Sequence, residues 1–137
     1  MPISERRRRA AAGAIDRTSA ILEIDLDAIV ENWQRLRARL APGAECAAVV
    51  KADAYGLGAA RVAPALAAAG CTLFFVATLD EGLALRRLLP QSRIAVLNGL
   101  MPGLAAQFAR ARRRPVLNDL GQIEAWSRFA RRRGGAP

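Results

Sequence analysis

"CAAVVKADAYGLG", residues 46–58, joins a short apolar run to a glycine-bearing loop. The run from Cys46 to Val50 has the pattern of a strand buried on both faces, as in parallel sheets covered by helices. Lys51 stands at the C-terminal end of that predicted strand. The pattern recurs in "TLFFVA" (72–77), "IAVLNG" (94–99) and "PVLN" (115–118).

Helical patterns alternate with these runs. "DLDAIVENWQRLRARL" places Leu26, Ile29, Val30, Trp33, Leu36 and Leu40 on one face, with Asp25 as N-cap, and the preceding "AILEI" (20–24) reads as a short strand. "AARVAPALAAAG" reads as a small-residue helix with Pro64 in its first turns and Gly70 as its stop. Thr78 and Glu81 form a T-x-x-E capping box that opens "LDEGLALRRLL", which Pro90 ends. A further helix is predicted from Pro102 to about Arg112, and a last one over "LGQIEAWSRFARRR", amphipathic through Leu120, Ile123 and Trp126 and stopped by Gly134. Four buried strands alternating with helices predict an α/β fold of parallel β/α units, closing as an open doubly wound sheet or as a barrel. No GxGxxG opens the first crossover, so a dinucleotide fold has no support. A full (β/α)8 barrel takes about 250 residues. The 137 residues here predict a partial barrel, about the first four units.

At 53% hydrophobic, the chain has material for one core. No apolar run approaches the roughly 20 residues of a membrane span, and no secretion signal is evident, so a cytoplasmic protein without a membrane partner is expected. Cys46 and Cys71 lack CxxC spacing and read as reduced thiols, with no metal site expected. Histidine is absent, which removes Ser-His-Asp and Cys-His catalysis from within this sequence. The formal charge of +9 raises nucleic-acid binding as a reading of another class. Its cations concentrate in the runs Arg6–Arg9, Arg112–Arg114 and Arg131–Arg133, without interleaved aromatics or a nucleic-acid motif. The first run falls in an extension, residues 1–19, expected to be disordered. The other two are expected at helix C-termini, where cations meet the dipole. No nucleic-acid partner is therefore expected.

Lys51 is the chain's only lysine among 21 Lys and Arg, and Tyr55 its only tyrosine. An arginine would serve for surface charge, whereas a lysine amine can lose its proton and act as nucleophile or base. At the mouth of a barrel strand such an amine can hold a carbonyl cofactor as an imine, and pyridoxal 5'-phosphate is the cofactor such a site suggests. Tyr55 either donates its hydroxyl to the cofactor phosphate or packs on the barrel rim. Gly56 and Gly58 let the loop turn tightly, and Asp53 reads chiefly as a turn-stabilising residue.

"VVKADAYGLG" (49–58) resembles the pyridoxal-phosphate attachment motif of the alanine racemases. The similarity extends through "IDLDAIVENW", "AGC", "FFVATLDEGLALR", "VLNG" and "PVLN", over about residues 20 to 130. The resemblance implies a pyridoxal-phosphate-dependent isomerase interconverting L- and D-alanine for peptidoglycan precursors, built as a (β/α)8 barrel plus a β-rich domain and working as a homodimer. It also implies that Lys51 carries the cofactor and is the base on one face of the substrate, and that Tyr55 binds the phosphate. The family often has histidine where Leu57 stands. Its opposite-face base is a tyrosine of the partner subunit's C-terminal domain, and an arginine from later barrel strands faces the pyridine nitrogen. Neither is expected here. Residues 20–137 are thus expected to be the N-terminal half of the barrel domain, a fragment inactive alone. A pyridoxal-phosphate-binding regulator or a related amino-acid decarboxylase is the alternative within the same cofactor class.

Overall fold

The computed structural model describes residues 20–134; the arginine-rich residues 1–19 lie outside the described residues. Helix α1 spans Leu26–Arg37, and its N-cap forms as the sequence predicts: Asp25 Oδ1 accepts from the N–H groups of Asp27 and Ala28 at 2.9 and 3.1 Å. There follow β1 (Ala48–Val49), a short helical turn α2 (Lys51–Tyr55), α3 (Ala59–Ala68), β2 (Leu73–Val76) and α4 (Leu79–Leu88). The remaining elements are β3 (Arg93–Val96), α5 (Ala105–Arg110), β4 (Arg114–Pro115) and α6 (Leu120–Arg132).

The strands form one parallel sheet in the order β1-β2-β3-β4. Sequential order without a reversal is that of successive units of a barrel, whereas a doubly wound sheet reverses at a switch point. The fold is therefore α/β, a partial (β/α)8 arrangement of four units. Register explains which face is covered. Ala48 pairs with Phe74, Phe74 with Ile94 and Val76 with Val96, and all five are buried, against Val62, Ala63 and Leu66 of α3, Leu85 of α4 and Phe108 of α5. The alternate residues, Val49, Phe75 and Ala95, also pair in register and point to the opposite face. There Val49 is 44% exposed. Burial on both faces, the expectation for these runs, holds only in part, because among the described residues the helices cover one face.

Several boundaries differ from expectation, each for a physical reason. "AILEI" is not a strand: a strand needs a ladder partner, and no described strand pairs with it. Helix α3 carries Pro64 as its sixth residue, within its first two turns as expected, and remains continuous. It ends in a Schellman motif, with Cys71 N–H donating to Leu66 O and Gly70 N–H to Ala67 O at 3.0 Å each. Helix α5 starts at Ala105 rather than Pro102 because Gly103 takes φ +79°, which no right-handed helix accommodates. The fourth strand is Arg114–Pro115, an edge position that tolerates a proline. Leu36 and Leu40 of the predicted apolar face are exposed, as are Leu120 and Ile123 on α6.

The Arg112–Arg114 run behaves differently from a set of solvated helix-end cations. Arg113 is 4% exposed, and its Nε and Nη2 both donate to Gly82 O, at 3.1 and 2.9 Å. Arg86 similarly spends its Nη groups on the carbonyls of Leu89, Pro90, Ser92 and Arg112. Both guanidiniums direct several N–H donors at backbone carbonyls, a fork that a lysine's single ammonium does not offer. This binds part of the basic charge into the core architecture.

Candidate functional site

All four strands run the same way, so the loops after β1, β2, β3 and β4 gather at one end of the sheet. Lys51 begins the first of these loops and is partly buried there. The backbone then does something the sequence did not announce. Ala52, Asp53, Ala54 and Tyr55 take φ values of 50, 54, 53 and 57°, four consecutive non-glycine residues in the left-handed region. Each costs roughly 1–2 kcal/mol relative to right-handed backbone. The turn is held by its own ladder, Ala54 N–H to Val50 O at 3.0 Å and Gly56 N–H to Ala52 O at 2.9 Å.

Two carboxylates hold it from the sides. Asp53 Oδ1 accepts from Ala59 N–H at 2.7 Å, which satisfies a first-turn donor of α3 and closes the loop. This is the turn-stabilising role read from the sequence. Glu81 Oε1, from α4 in the next β/α unit, accepts from Ala52 N–H at 2.9 Å. Its Oε2 accepts from Ala77 and Thr78 N–H at 2.7 and 3.3 Å, completing the predicted capping box, in which Glu81 N–H donates to Thr78 Oγ1 at 3.2 Å. The capping box was legible from Thr78 and Glu81; the reach of its second oxygen to the residue after Lys51 was not.

The left-handed turn brings the two expected site residues together. Lys51 Nζ lies 5.9 Å from the centroid of the Tyr55 ring, within cation–π range. Tyr55 is 62% exposed, so the rim-packing alternative would give it little buried area. Gly56 and Gly58, at φ +80 and +89°, leave open space within 4 Å of where a Cβ would stand. A partly buried primary amine, a solvent-facing phenol and open backbone thus lie on one short loop. An amine in such a place can bond a carbonyl compound and transfer a proton, and the phenol can donate to an anion. Among the described residues no cluster of His, Cys, Asp and Glu could hold a metal ion, and no helix is long and apolar enough to cross a membrane.

Comparison with known proteins gives this arrangement a family. The sequence model described as "Alanine racemase, N-terminal domain" matches residues 24–136. The alanine racemase of Rhodospirillum rubrum is 51% identical over 123 residues, which are 89% of this chain and 33% of that protein. The crystal structure of the Bartonella henselae alanine racemase, solved with covalently bound pyridoxal phosphate, superposes with a TM-score of 0.78 at 44% identity, covering 82% of this chain and 31% of that one. A histidine racemase from Leuconostoc mesenteroides also matches, at TM-score 0.70 and 28% identity, over 88% of this chain and 32% of that one. The chain spans about a third of the length of the curated relatives it matches. It belongs to the alanine racemase family, matching part of that family's N-terminal barrel domain.

Proposed function

We propose that this chain is the cofactor-holding portion of a pyridoxal-phosphate-dependent alanine racemase, with Lys51 as the residue that carries the cofactor. The observation that supports this most directly is the placement of the chain's single lysine at the C-terminal end of β1, in a domain 51% identical to an alanine racemase. Barrel enzymes build their sites at that end of the strands. The residues present suit the group: Lys51 offers the amine, and Tyr55, exposed beside it, offers a hydroxyl for the phosphate. When bound, pyridoxal phosphate supplies an electron sink that eases removal of the substrate α-proton. Lys51 would take or return that proton on one face. By resemblance to the family, the base on the other face is a tyrosine of the partner subunit's C-terminal domain, a role that no residue of this sequence is given, Tyr55 being its only tyrosine. A partner subunit that carries the C-terminal domain would bring that group in a homodimer, and the product would serve peptidoglycan synthesis in the cytoplasm.

Alanine is favoured over other amino acids as substrate because relatives that share 50–58% identity with this chain are alanine racemases. The test is a chimera in which residues 20–134 replace the matching segment of the Rhodospirillum rubrum enzyme. It should interconvert L- and D-alanine and lose that activity on Lys51→Arg. A folded chimera that binds pyridoxal phosphate yet decarboxylates alanine, or racemises only another amino acid, would overturn the assignment.

A further inference from the structure

Lys51 has no side-chain hydrogen bond that fixes its position among those of the described residues; what fixes it is the backbone it springs from. That backbone enters four left-handed residues immediately afterwards, and the first peptide of the turn, at Ala52, is held from outside by Glu81 Oε1 at 2.9 Å. The same carboxylate grips Ala77 and Thr78 at the end of β2, the strand that pairs with β1. A single side chain therefore ties the Lys51 loop to the neighbouring strand end. The device recurs two units further round the sheet, where Gln122, three residues after the N-cap Asp119, accepts from Leu100 N–H at 2.9 Å and from Asn118 N–H at 3.2 Å. There an amide suffices. At Glu81 three N–H donors converge on two oxygens, a demand that a carboxylate meets and an amide, with one acceptor oxygen, does not.

We propose that Glu81 is a positioning residue for Lys51: it holds the left-handed turn so that the amine is presented at the strand mouth. This rests on the reading of Lys51 as the cofactor-bearing residue. The chain's composition gives an unusually direct test, because Lys51 and the terminal amine are its only aliphatic amines. The full chain is incubated with pyridoxal phosphate near pH 7.5, reduced with borohydride and mapped for the labelled amine. In the urea-unfolded chain the terminal amine, ordinarily a weaker base than a lysine by about two to three pK units, is more often neutral and should take most of the label. The native chain should reverse this in favour of Lys51. Glu81→Ala should return the distribution toward the terminus, lowering the share at Lys51 by about tenfold, the effect of losing a hydrogen bond to a charged group. Glu81→Gln, which preserves shape and one acceptor, should fall between. Thr78→Ala removes the other half of the capping box but leaves Glu81 on Ala52, and should label like the native chain. Amide exchange at Ala52, followed without cofactor, should quicken in Glu81→Ala and not in Thr78→Ala. A native chain labelled like the unfolded one would remove the Lys51 site and the inference with it. Native preference for Lys51 that persists in Glu81→Ala, or is lost equally in Thr78→Ala, would leave the site standing and overturn the role of Glu81.

Discussion

Lys51 Nζ faces the Tyr55 ring at 5.9 Å, although they stand four positions apart and neither lies in a right-handed helix that would align such a pair. The left-handed turn makes the approach. In an extended loop the two side chains would diverge. Exposed cation–π contacts are worth about 0.5–1 kcal/mol, enough to bias the amine's direction but not to fold the loop. The chemistry of the pair can therefore be separated from its packing by single substitutions.

Lys51→Arg keeps the charge and the ring contact but replaces an amine with a guanidinium that does not lose its proton near neutrality. Covalent attachment of pyridoxal phosphate at position 51 should disappear entirely. A visible absorbance band, bleached by borohydride, should be present before the substitution and absent after it. Persistence of that band would place the cofactor on another amine.

Tyr55→Phe keeps the ring over Lys51 and removes one hydroxyl. Because Tyr55 is largely exposed, the fold should be indifferent, with a thermal midpoint unchanged within error. Cofactor retention should weaken by about 1–2 kcal/mol, the range for a hydrogen bond to a charged group. Equilibrium dialysis against pyridoxal phosphate measures it, and unchanged retention would make Tyr55 a bystander.

The sequence carried the sheet because its strands are continuous apolar runs, and it carried the caps because Asp25, Thr78 and Glu81 act within three residues of themselves. It concealed what depends on contacts distant in sequence. Nothing in "KADAY" signals four left-handed residues, since alanine has no preference for that region; among the contacts that hold the turn is one from Glu81, 29 positions beyond Ala52. Arg113 looked like its exposed neighbours in the run and proved buried because a carbonyl at Gly82 awaited it. The pairing of Lys51 with Tyr55 was legible as a motif, whereas its geometry was not.

Gly99→Ala should destabilise the fold for two separable reasons. The residue has φ +81°, and an added Cβ would stand 2.3 Å from Gln122 Oε1, the atom that accepts from Leu100 N–H. A cost of about 1–3 kcal/mol is expected from the backbone alone, with the clash added to it. Gln122→Ala should relieve the clash but not the backbone strain, so the double variant should be less destabilised than the two singles summed. Urea denaturation of the four proteins tests this, and strict additivity would refute the contact.

Stability should fall toward both acid and alkaline pH, for opposite linkage reasons. The Thr72 hydroxyl and then the Arg93 guanidinium donate to Glu45 and hold its carboxyl below the usual carboxylate range. A depressed folded value means that the unfolded chain binds the proton first as pH drops. This stabilisation is complete above the ordinary carboxylate range and disappears as pH falls through the lower folded value. Burial pushes the Cys71 thiol up, so at high pH the unfolded chain ionises while the folded chain stays neutral. That contribution is complete below the ordinary thiol range and is lost as pH rises through the higher folded value. Glu45→Gln should flatten the acid limb of a plot of urea midpoint against pH and leave the alkaline limb alone. Cys71→Ala should do the reverse, with a lower plateau from the lost buried volume. An acid limb unchanged by Glu45→Gln would show that the Glu45 contacts with Thr72 and Arg93 do not persist in solution.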